Sequence, residues 1–362
     1  MSFPHTLFVR LMDHEDDTLG IRILRVLLWM PAWIFGLMAR WRNWMYEVGW
    51  LKMERLPVPV ISVGGVTVGG AGKTPVVRYL AELLKDMGYR PVILSRGYGR
   101  GGRHVTPVSL QESWHRVGDE PFFLASILSD VPVVVGADRL AAGRRAVAEF
   151  QPDVLILDDG FQHRHLHRDL DIVVYDSTGY HHNLSLMPAG PLRESMSALR
   201  RARSLILTRT DQTEGVTRLA EHARGMNPDI QIIESVYRPI RLRRRSDNMV
   251  VPLDHLKNQP VLILCGIANP VSLGRTISDL GAHVVSTFSF ADHHAFSITD
   301  MDHTLQAAQR VEARWILTTE KDAVRIPNHP IQSHLLVLDI TLFLPAGETI
   351  LKNLILSLDI PK

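Results

Sequence analysis

The run Val58-Pro59-Val60-Ile61-Ser62-Val63-Gly64-Gly65-Val66-Thr67-Val68-Gly69-Gly70-Ala71-Gly72-Lys73-Thr74 decides the fold. Its first four residues are apolar and read as a buried strand. The residues that follow, Pro75-Val76-Val77-Arg78-Tyr79-Leu80-Ala81-Glu82-Leu83-Leu84, space their apolar side chains three and four apart, as an amphipathic helix does. Strand, glycine-rich turn, Gly-Lys-Thr and helix together make a phosphate cradle formed by Thr67, Val68, Gly69, Gly70, Ala71, Gly72, Lys73 and Thr74. The glycines let backbone N–H groups converge on phosphate oxygens, and the helix N-terminus adds partial positive charge. Lys73 would reach the β- and γ-phosphates, and the Thr74 hydroxyl would bind Mg²⁺. The strict pattern G-x-x-x-x-G-K-[ST] asks for glycine at position 67, where this chain has Thr67.

Bulk properties narrow the class. At 362 residues the chain should form about two domains, each with a sizeable core. Forty basic and 38 acidic residues leave a net charge of +2, which gives no global field for nucleic acid. A single cysteine, Cys265, excludes an internal disulfide framework and fits a reducing compartment. It ends the apolar run Val261-Leu262-Ile263-Leu264 and reads as a buried strand residue rather than a reactive thiol.

The N-terminal part is unusual. Residues 26–38 carry no charge, and Arg22, Arg25, Arg40 and Arg42 flank them. The run is shorter than the roughly 20 residues a spanning helix needs. It lacks a signal-peptide cleavage site, and Asp13, Glu15, Asp16 and Asp17 precede it. Five of the seven tryptophans, Trp29, Trp33, Trp41, Trp44 and Trp50, cluster here. Tryptophan favours the bilayer interface, and neighbouring arginines attract anionic lipid. The segment reads as a membrane-surface helix, the alternative being a helix that covers the catalytic domain.

Beyond the first strand–helix unit, apolar strands at 90–95, 131–135, 154–157, 171–175 and 204–207 alternate with helices at 121–128 and 139–150. This pattern predicts an α/β fold with a parallel sheet covered on both faces. The loop 96–103 is long and basic. Arg238, Arg241, Arg243, Arg244 and Arg245, with Pro239 and Pro252 nearby, read as a linker that is either a solvated turn or a contact for anionic groups. A second series follows, with strands at 260–264, 283–288, 315–318 and 334–338 and helices at 272–280, 300–313 and 348–358. It has no phosphate cradle and should face the first unit across a cleft. The expected division is 1–50 as a membrane-associated helical segment, 51–238 as the P-loop catalytic domain, 239–258 as the linker and 259–362 as a smaller α/β domain.

Several residues could carry chemistry. Asp158-Asp159 ends an apolar strand, where a P-loop enzyme places the carboxylate that holds Mg²⁺ opposite the P-loop threonine. Asp119 and Glu120 precede Pro121. They read either as a helix N-cap or, for Asp119, as the base that takes a proton from an attacking hydroxyl. Asp292-His293-His294 follows a strand end, where a histidine could pair with a carboxylate across the cleft, or could simply be loop. His163, His165 and His167 alternate as on one strand face, but lack the cysteine or acidic support of a zinc site. Thr208-Arg209-Thr210-Asp211 faintly resembles a guanine-reading N/T-K-x-D motif, with Arg209 in place of lysine, and reads as a strand end.

Taken together, these residues resemble one family, the tetraacyldisaccharide 4'-kinases of lipid A synthesis. The likeness is carried by residues 67–75, Ser95-Arg96-Gly97-Tyr98-Gly99, Gly118-Asp119-Glu120-Pro121, Asp158-Asp159-Gly160-Phe161-Gln162-His163, Gly190-Pro191-Leu192-Arg193-Glu194, Asp292-His293-His294 and Thr319-Glu320-Lys321-Asp322. Thr67 resembles the family's own form of the loop, whereas Gly65 departs from the asparagine of many relatives. The resemblance implies two RecA-like P-loop α/β domains with parallel sheets, joined by a linker and carrying an N-terminal membrane-surface helix. It implies ATP- and Mg²⁺-dependent phosphorylation of the 4'-hydroxyl of a tetraacylated glucosamine disaccharide 1-phosphate. The enzyme would be peripheral or monotopic on the cytoplasmic face of a bacterial inner membrane, a monomer whose partners are its glycolipid substrate and the membrane, without nucleic acid. Asp119 would be the base, paired with His293. Lys73 would stabilise the transferring phosphoryl group, and Thr74, Asp158, Asp159 and Glu120 would hold Mg²⁺. Arg139, His163, Arg193 and Glu194 would complete the site. The alternative function is a membrane-associated P-loop NTPase switch or assembly factor.

Overall fold

A computed structural model describes residues 18–102, 104–179 and 184–360. Asp13, Glu15, Asp16, Asp17 and Arg103 lie outside the described residues. Two sheets organise the chain. The first has eight strands in the order β3-β4-β2-β5-β1-β6-β7-β8, and the second has six in the order β10-β9-β14-β13-β11-β12.

At the centre of the first sheet lies β1 (Val60–Gly64), a fully buried strand. Its neighbours are β5 (Val154–Asp158) and β6 (Leu170–Asp176), both parallel to it. The order reverses here, because β2 (Pro91–Ser95) lies beyond β5. Such a switch point opens a crevice at the carboxyl ends of the strands. Register places Val63 beside Asp158, so the sheet itself brings the carboxylate to the P-loop. β4 (Val133–Val135) follows β2 in parallel, β3 (Thr106–Pro107) closes that edge antiparallel, and β7 (Ser204–Thr208) and β8 (Gln231–Glu234) extend the other. Helices cover both faces, which is why the strands are near-continuous apolar runs. Among them, α2 (Lys73–Asp86) buries Val76, Val77, Leu80 and Leu84. The sheet is also flanked by α3 (Trp114–Val117), α4 (Asp119–Ile127), α5 (Arg139–Phe150) and α6 (Val216–Met226).

In the second sheet β11 (Pro260–Cys265), β12 (His283–Ser289), β13 (Trp315–Thr319) and β14 (Leu335–Phe343) are parallel. Its helices are α7 (Pro270–Asp279), α8 (Ile298–Arg310) and the short α9 (Glu320–Ala323). Cys265 is fully buried, and burial pushes its thiol up to about 12.

The basic run expected to be a linker is instead a nine-residue strand, β9 (Val236–Arg244), antiparallel to β14. Only Ser235 separates it from β8. Its alternation is visible once the partner strand is known. Leu242 is buried, while Arg241 and Arg243 both donate to Asp339 Oδ2 at 2.7 Å, across the ladder. Cross-strand ion pairing thus makes a strand of residues that look like a solvated turn. Residues 250–251 form β10, and Leu253–Leu256 a 3-10 turn. The chain returns through β14 into α10 (Gly347–Leu356), whose Leu351, Leu354 and Ile355 join the core of the first sheet with Val76, Leu80 and Leu84.

The N-terminal helix α1 (Leu19–Glu47) has 29 residues. It is longer than the uncharged run suggests, and by length and composition alone it could cross a membrane. One stripe, Ile21, Ala32, Gly36 and Tyr46, is buried. Gly36 approaches so closely that an added Cβ would lie 2.5 Å from Leu186 Cδ1. The remaining surface exposes Val26, Leu27, Trp29, Met30, Trp33 and Trp41.

Candidate active site

The phosphate cradle turns on two glycines. Gly69 and Gly72 have φ of +93° and +88°, which only glycine adopts without strain. Thr67 needs no such freedom. It sits in an antiparallel bridge with Leu192, and Val68 N–H donates to Pro191 O at 2.8 Å. The segment 190–193 therefore pins the start of the loop, which explains why threonine can replace the glycine of the strict pattern. Thr208 Oγ1 donates to Ala71 O at 3.0 Å and braces the far side.

A cavity of about 600 Å³ opens over this loop, between the two sheets. On the first-sheet side Lys73 Nζ lies 3.4 Å from Asp159 Oδ1, and Arg193 donates to Asp159 Oδ2 at 2.9 Å. Burial opposes the charge on Asp159, but Lys73 and Arg193 outweigh it and hold its carboxyl below the usual range. Ser95 Oγ donates to Asp158 Oδ2 at 2.9 Å. Burial, then the charges of Glu120 and Asp159, push Asp158 up to about 7. Glu120, at the start of α4, accepts from Thr74 Oγ1 at 3.1 Å. Burial works against its charge, yet Lys321 and His293 bring it down to about 2.

From the second sheet comes His293, at φ +61° in the loop after β12. Its Nδ1 lies 2.8 Å and 3.0 Å from the two oxygens of Asp119. Asp119 is buried. Burial would raise its pKa, but the hydrogen bond and charge of His293, with Lys321, leave it below the carboxylate range. For His293 burial lowers the pKa, and the hydrogen bond to Asp119 overcomes this and leaves it above the ordinary value. Asp159 at φ +51° and Arg209 at φ +58° line the same cavity. Three non-glycine residues in the left-handed region around one cavity mark backbone held under strain, as functional sites often hold it.

A second cavity, about 510 Å³, lies between α1 and the body and shares Arg96, Asp159 and Arg193 with the first. Phe35, Met38 and Ala39 of α1 form its apolar wall, and Arg139, His163 and Glu194 its polar one. Arg139 is buried and donates to Gly136 O at 2.9 Å, and burial lowers it to about 10. Burial, then the charge of Arg139, takes His163 down to about 4, so the ring is neutral. Glu194 does not line the first cavity. It accepts from Asn43 of α1 at 2.8 Å, Arg201 at 3.0 Å and Gln162 at 3.0 Å, and ties the N-terminal helix to the body.

The expected residues thus fall into two groups around a shared wall. Lys73, Thr74, Asp119, Glu120, Asp158 and His293 line the first cavity, and Arg139, His163 and Glu194 the second, with Asp159 and Arg193 in both. His165 and His167 line neither cavity; they meet Glu54 and Asp169. Sequence reasoning assigned no role to Lys321, which donates to Glu120 at 2.9 Å, nor to Arg325, Tyr237 and Ala268, which touch the carboxylates or the loop. Only the run Thr319-Glu320-Lys321-Asp322 hinted at the first.

Three comparisons bear on this arrangement. The family model described as tetraacyldisaccharide-1-P 4'-kinase matches residues 24–358. A tetraacyldisaccharide 4'-kinase of Anaeromyxobacter sp. (strain Fw109-5) is 41% identical over 318 residues, covering 85% of this chain and 84% of that one. One from Aquifex aeolicus (strain VF5) is 38% identical over 311 residues, covering 85% and 91%. The crystal structure of LpxK from Aquifex aeolicus in complex with ATP superposes with a TM-score of 0.72 at 35% identity, covering 92% of this chain and 99% of that one.

Proposed function

Because this chain belongs to the tetraacyldisaccharide-1-P 4'-kinase family, the ATP-dependent 4'-kinases of lipid A synthesis, we propose how its own residues divide the reaction. The triphosphate of ATP lies over residues 69–74, with Lys73 on the transferring phosphoryl group. The disaccharide 1-phosphate enters through the second cavity, where Arg139, His163 and Arg193 face it. Its 4'-hydroxyl arrives at the shared wall.

The observation that carries this reading is the contact of His293 with Asp119 beside the loop. Asp119, expected to be the base, is held below the usual range by the hydrogen bond and charge of His293, and both its oxygens face that ring. The pair does better. Nδ1–H of His293 donates to Asp119, which fixes the tautomer and leaves Nε2, 3.7 Å from Asp292 Oδ2, to take the hydroxyl proton. The hydroxyl oxygen then bonds to the γ-phosphorus, the bond to the β-phosphate oxygen breaks, and ADP leaves. Asp119 balances the imidazolium that forms. Transfer of this kind depends mostly on positioning and charge.

The residues present also suit Mg²⁺. Among the described residues no three His, Cys, Asp or Glu side chains converge enough to ligate an ion alone. P-loop Mg²⁺, however, takes one or two carboxylates with phosphate oxygens and a hydroxyl. Thr74, Asp158, Asp159 and Glu120 offer that set, and Asp159 Oδ1 is buried without a hydrogen-bond partner. When bound, the ion would neutralise charge on the β- and γ-phosphates.

The two sheets are read as two RecA-like domains. The exposed apolar surface of α1 is read as the face that lies on the membrane, on the cytoplasmic side of the inner membrane, with the chain acting as a monomer. This would bring the second cavity to headgroup level. The reading is tested by incubating the purified protein with labelled ATP, Mg²⁺ and disaccharide 1-phosphate lipid. A doubly phosphorylated lipid is expected; hydrolysis of ATP without lipid phosphorylation would refute the reading.

A further inference from the structure

The second sheet presents two cations to the first turn of α4. Lys321 of α9 and Arg325, one helical turn later, lie four residues apart. Lys321 Nζ donates to Glu120 Oε1 at 2.9 Å, and Arg325 Nε lies 3.5 Å from Asp119 Oδ2. The adjacent carboxylates on one sheet are therefore matched by cations one turn apart on the other.

Each cation is also anchored in its own sheet. Lys321 donates to Asp292 Oδ1 at 3.3 Å, the residue before His293. Arg325, 2% exposed, pairs with Asp322 and donates to Gly266 O at 3.0 Å, while Gly266 N–H donates to Asp322 Oδ1 at 3.1 Å. Its Nε and Nη1 are buried with no hydrogen bond. A guanidinium so fixed cannot turn to solvent, and its open side faces Asp119. Lys321 also links forward, since Glu120 is the acceptor of Thr74 Oγ1.

We propose that Lys321 and Arg325 form a latch that closes the second sheet onto α4, and so brings His293 to Asp119 and sets Glu120 against Thr74. Both are positioning residues. This rests on the assignment of Asp119 and His293 above, but it can be tested apart from it. A contact between sheets forms only when they meet, whereas a contact with phosphate would not need the acids Asp292 and Asp322. Truncating one member of this part-buried charge pair leaves the other without its counter-charge across the interface. Removal of Lys321 should therefore open the interface rather than weaken the loop's hold on nucleotide.

The test uses the full chain with spin labels at Ala148→Cys on α5 and Gln309→Cys on α8, both exposed. Cys265, fully buried, stays unlabelled. Without any substrate, the parent protein should give one narrow distance distribution. Lys321→Met should broaden and lengthen it, and Lys321→Arg should restore it. In parallel, kcat should fall at least about 30-fold in Lys321→Met with ATP affinity within about threefold, and recover in Lys321→Arg. Thermal unfolding checks that the variants fold, and Asp292→Asn, which removes the lysine's anchor, should open the interface in the same way. Unchanged distances in Lys321→Met would overturn the latch. So would equal loss of kcat in the Arg and Met variants at unchanged distances, which would put Lys321 on the phosphate instead. If Asp119→Asn kept full activity while Lys321→Met opened the interface, the proton-transfer assignment would fail and the latch would stand.

Discussion

Replacing Gly72 with alanine tests whether the P-loop is braced by the strand that leaves the first sheet. Gly72 precedes α2 at φ +88°, and an L-residue held there costs about 1–2 kcal/mol. The added Cβ would lie 1.9 Å from Tyr237 Oη, with Tyr237 Cζ and Thr208 Cγ2 each at 3.2 Å. No hydroxyl rotation relieves this, because the oxygen is fixed in the ring plane. The ring belongs to the second residue of β9 and lies beneath Arg209, whose guanidinium carbon is 5.0 Å from its centroid. Forcing ring or loop aside adds about 1–3 kcal/mol, as overpacking does. The sum, roughly 2–5 kcal/mol, should lower the unfolding midpoint of the 362-residue chain by roughly 3–7 °C. A double-mutant cycle separates the two parts. Tyr237→Phe removes the atom at 1.9 Å and leaves Cζ at 3.2 Å, a tight but tolerable contact. The pair should therefore couple by at least about 1 kcal/mol, with the backbone cost remaining. Additivity within about 0.3 kcal/mol, or a Gly72→Ala protein as stable as its parent, would refute the argument.

Two further outcomes follow from the site and the N-terminal helix. Asp119→Asn should lower kcat by about 10²–10⁴ with ATP affinity little changed, because the tautomer and the counter-charge of His293 are lost. Its pH profile gives the sign: the base must be neutral, and Asp119 holds His293 above the ordinary value, so the acid limb of kcat should move to lower pH in Asp119→Asn. A limb that stays in place would separate the pair. Replacing Trp29, Trp33 and Trp41, 67%, 55% and 60% exposed, with glutamine should abolish sedimentation with anionic vesicles and leave ATP binding intact. Undiminished sedimentation would remove α1 as the membrane contact.

How much was legible in the sequence depended on how local the determinants were. The P-loop, Asp158 and the alternation of strand and helix declare themselves within a few residues, and the sheet register then sets Val63 beside Asp158. β9 was misread because its arginines answer to Asp339, which lies 98 residues from Arg241. Arg325 was missed for the same reason: a buried arginine paired within its own turn gives no pattern until the second sheet places it near Asp119. Thr67 departs from the strict pattern yet resembles the family's own form of the loop, and its bridge to Leu192 gives the physical reason.

The way the chain joins its sheets explains why so much of the site depends on their docking. It leaves the first sheet at Ser235 and comes back through β14 into α10, whose apolar face completes the first core. The second sheet is thus tethered at both ends, through β9 and through β14. Polar contacts bridge the sheets in both senses. Arg78 of α2 reaches Glu320 at 3.3 Å, while Lys321, the next residue, reaches Glu120 at 2.9 Å. Burial and the nearby charge of Asp339 push Glu320 up to about 7, so its pairing with Arg78 weakens when it takes a proton. A group whose folded pKa is raised in this way binds its proton more readily in the folded chain, so protonation itself favours folding, while the charged form depends on Arg78 and Arg243. Complementary charges of this kind fix register and orientation more than they add affinity. Two tethers and complementary charges therefore hold the sheets in one geometry, which proton transfer between a hydroxyl and His293 requires.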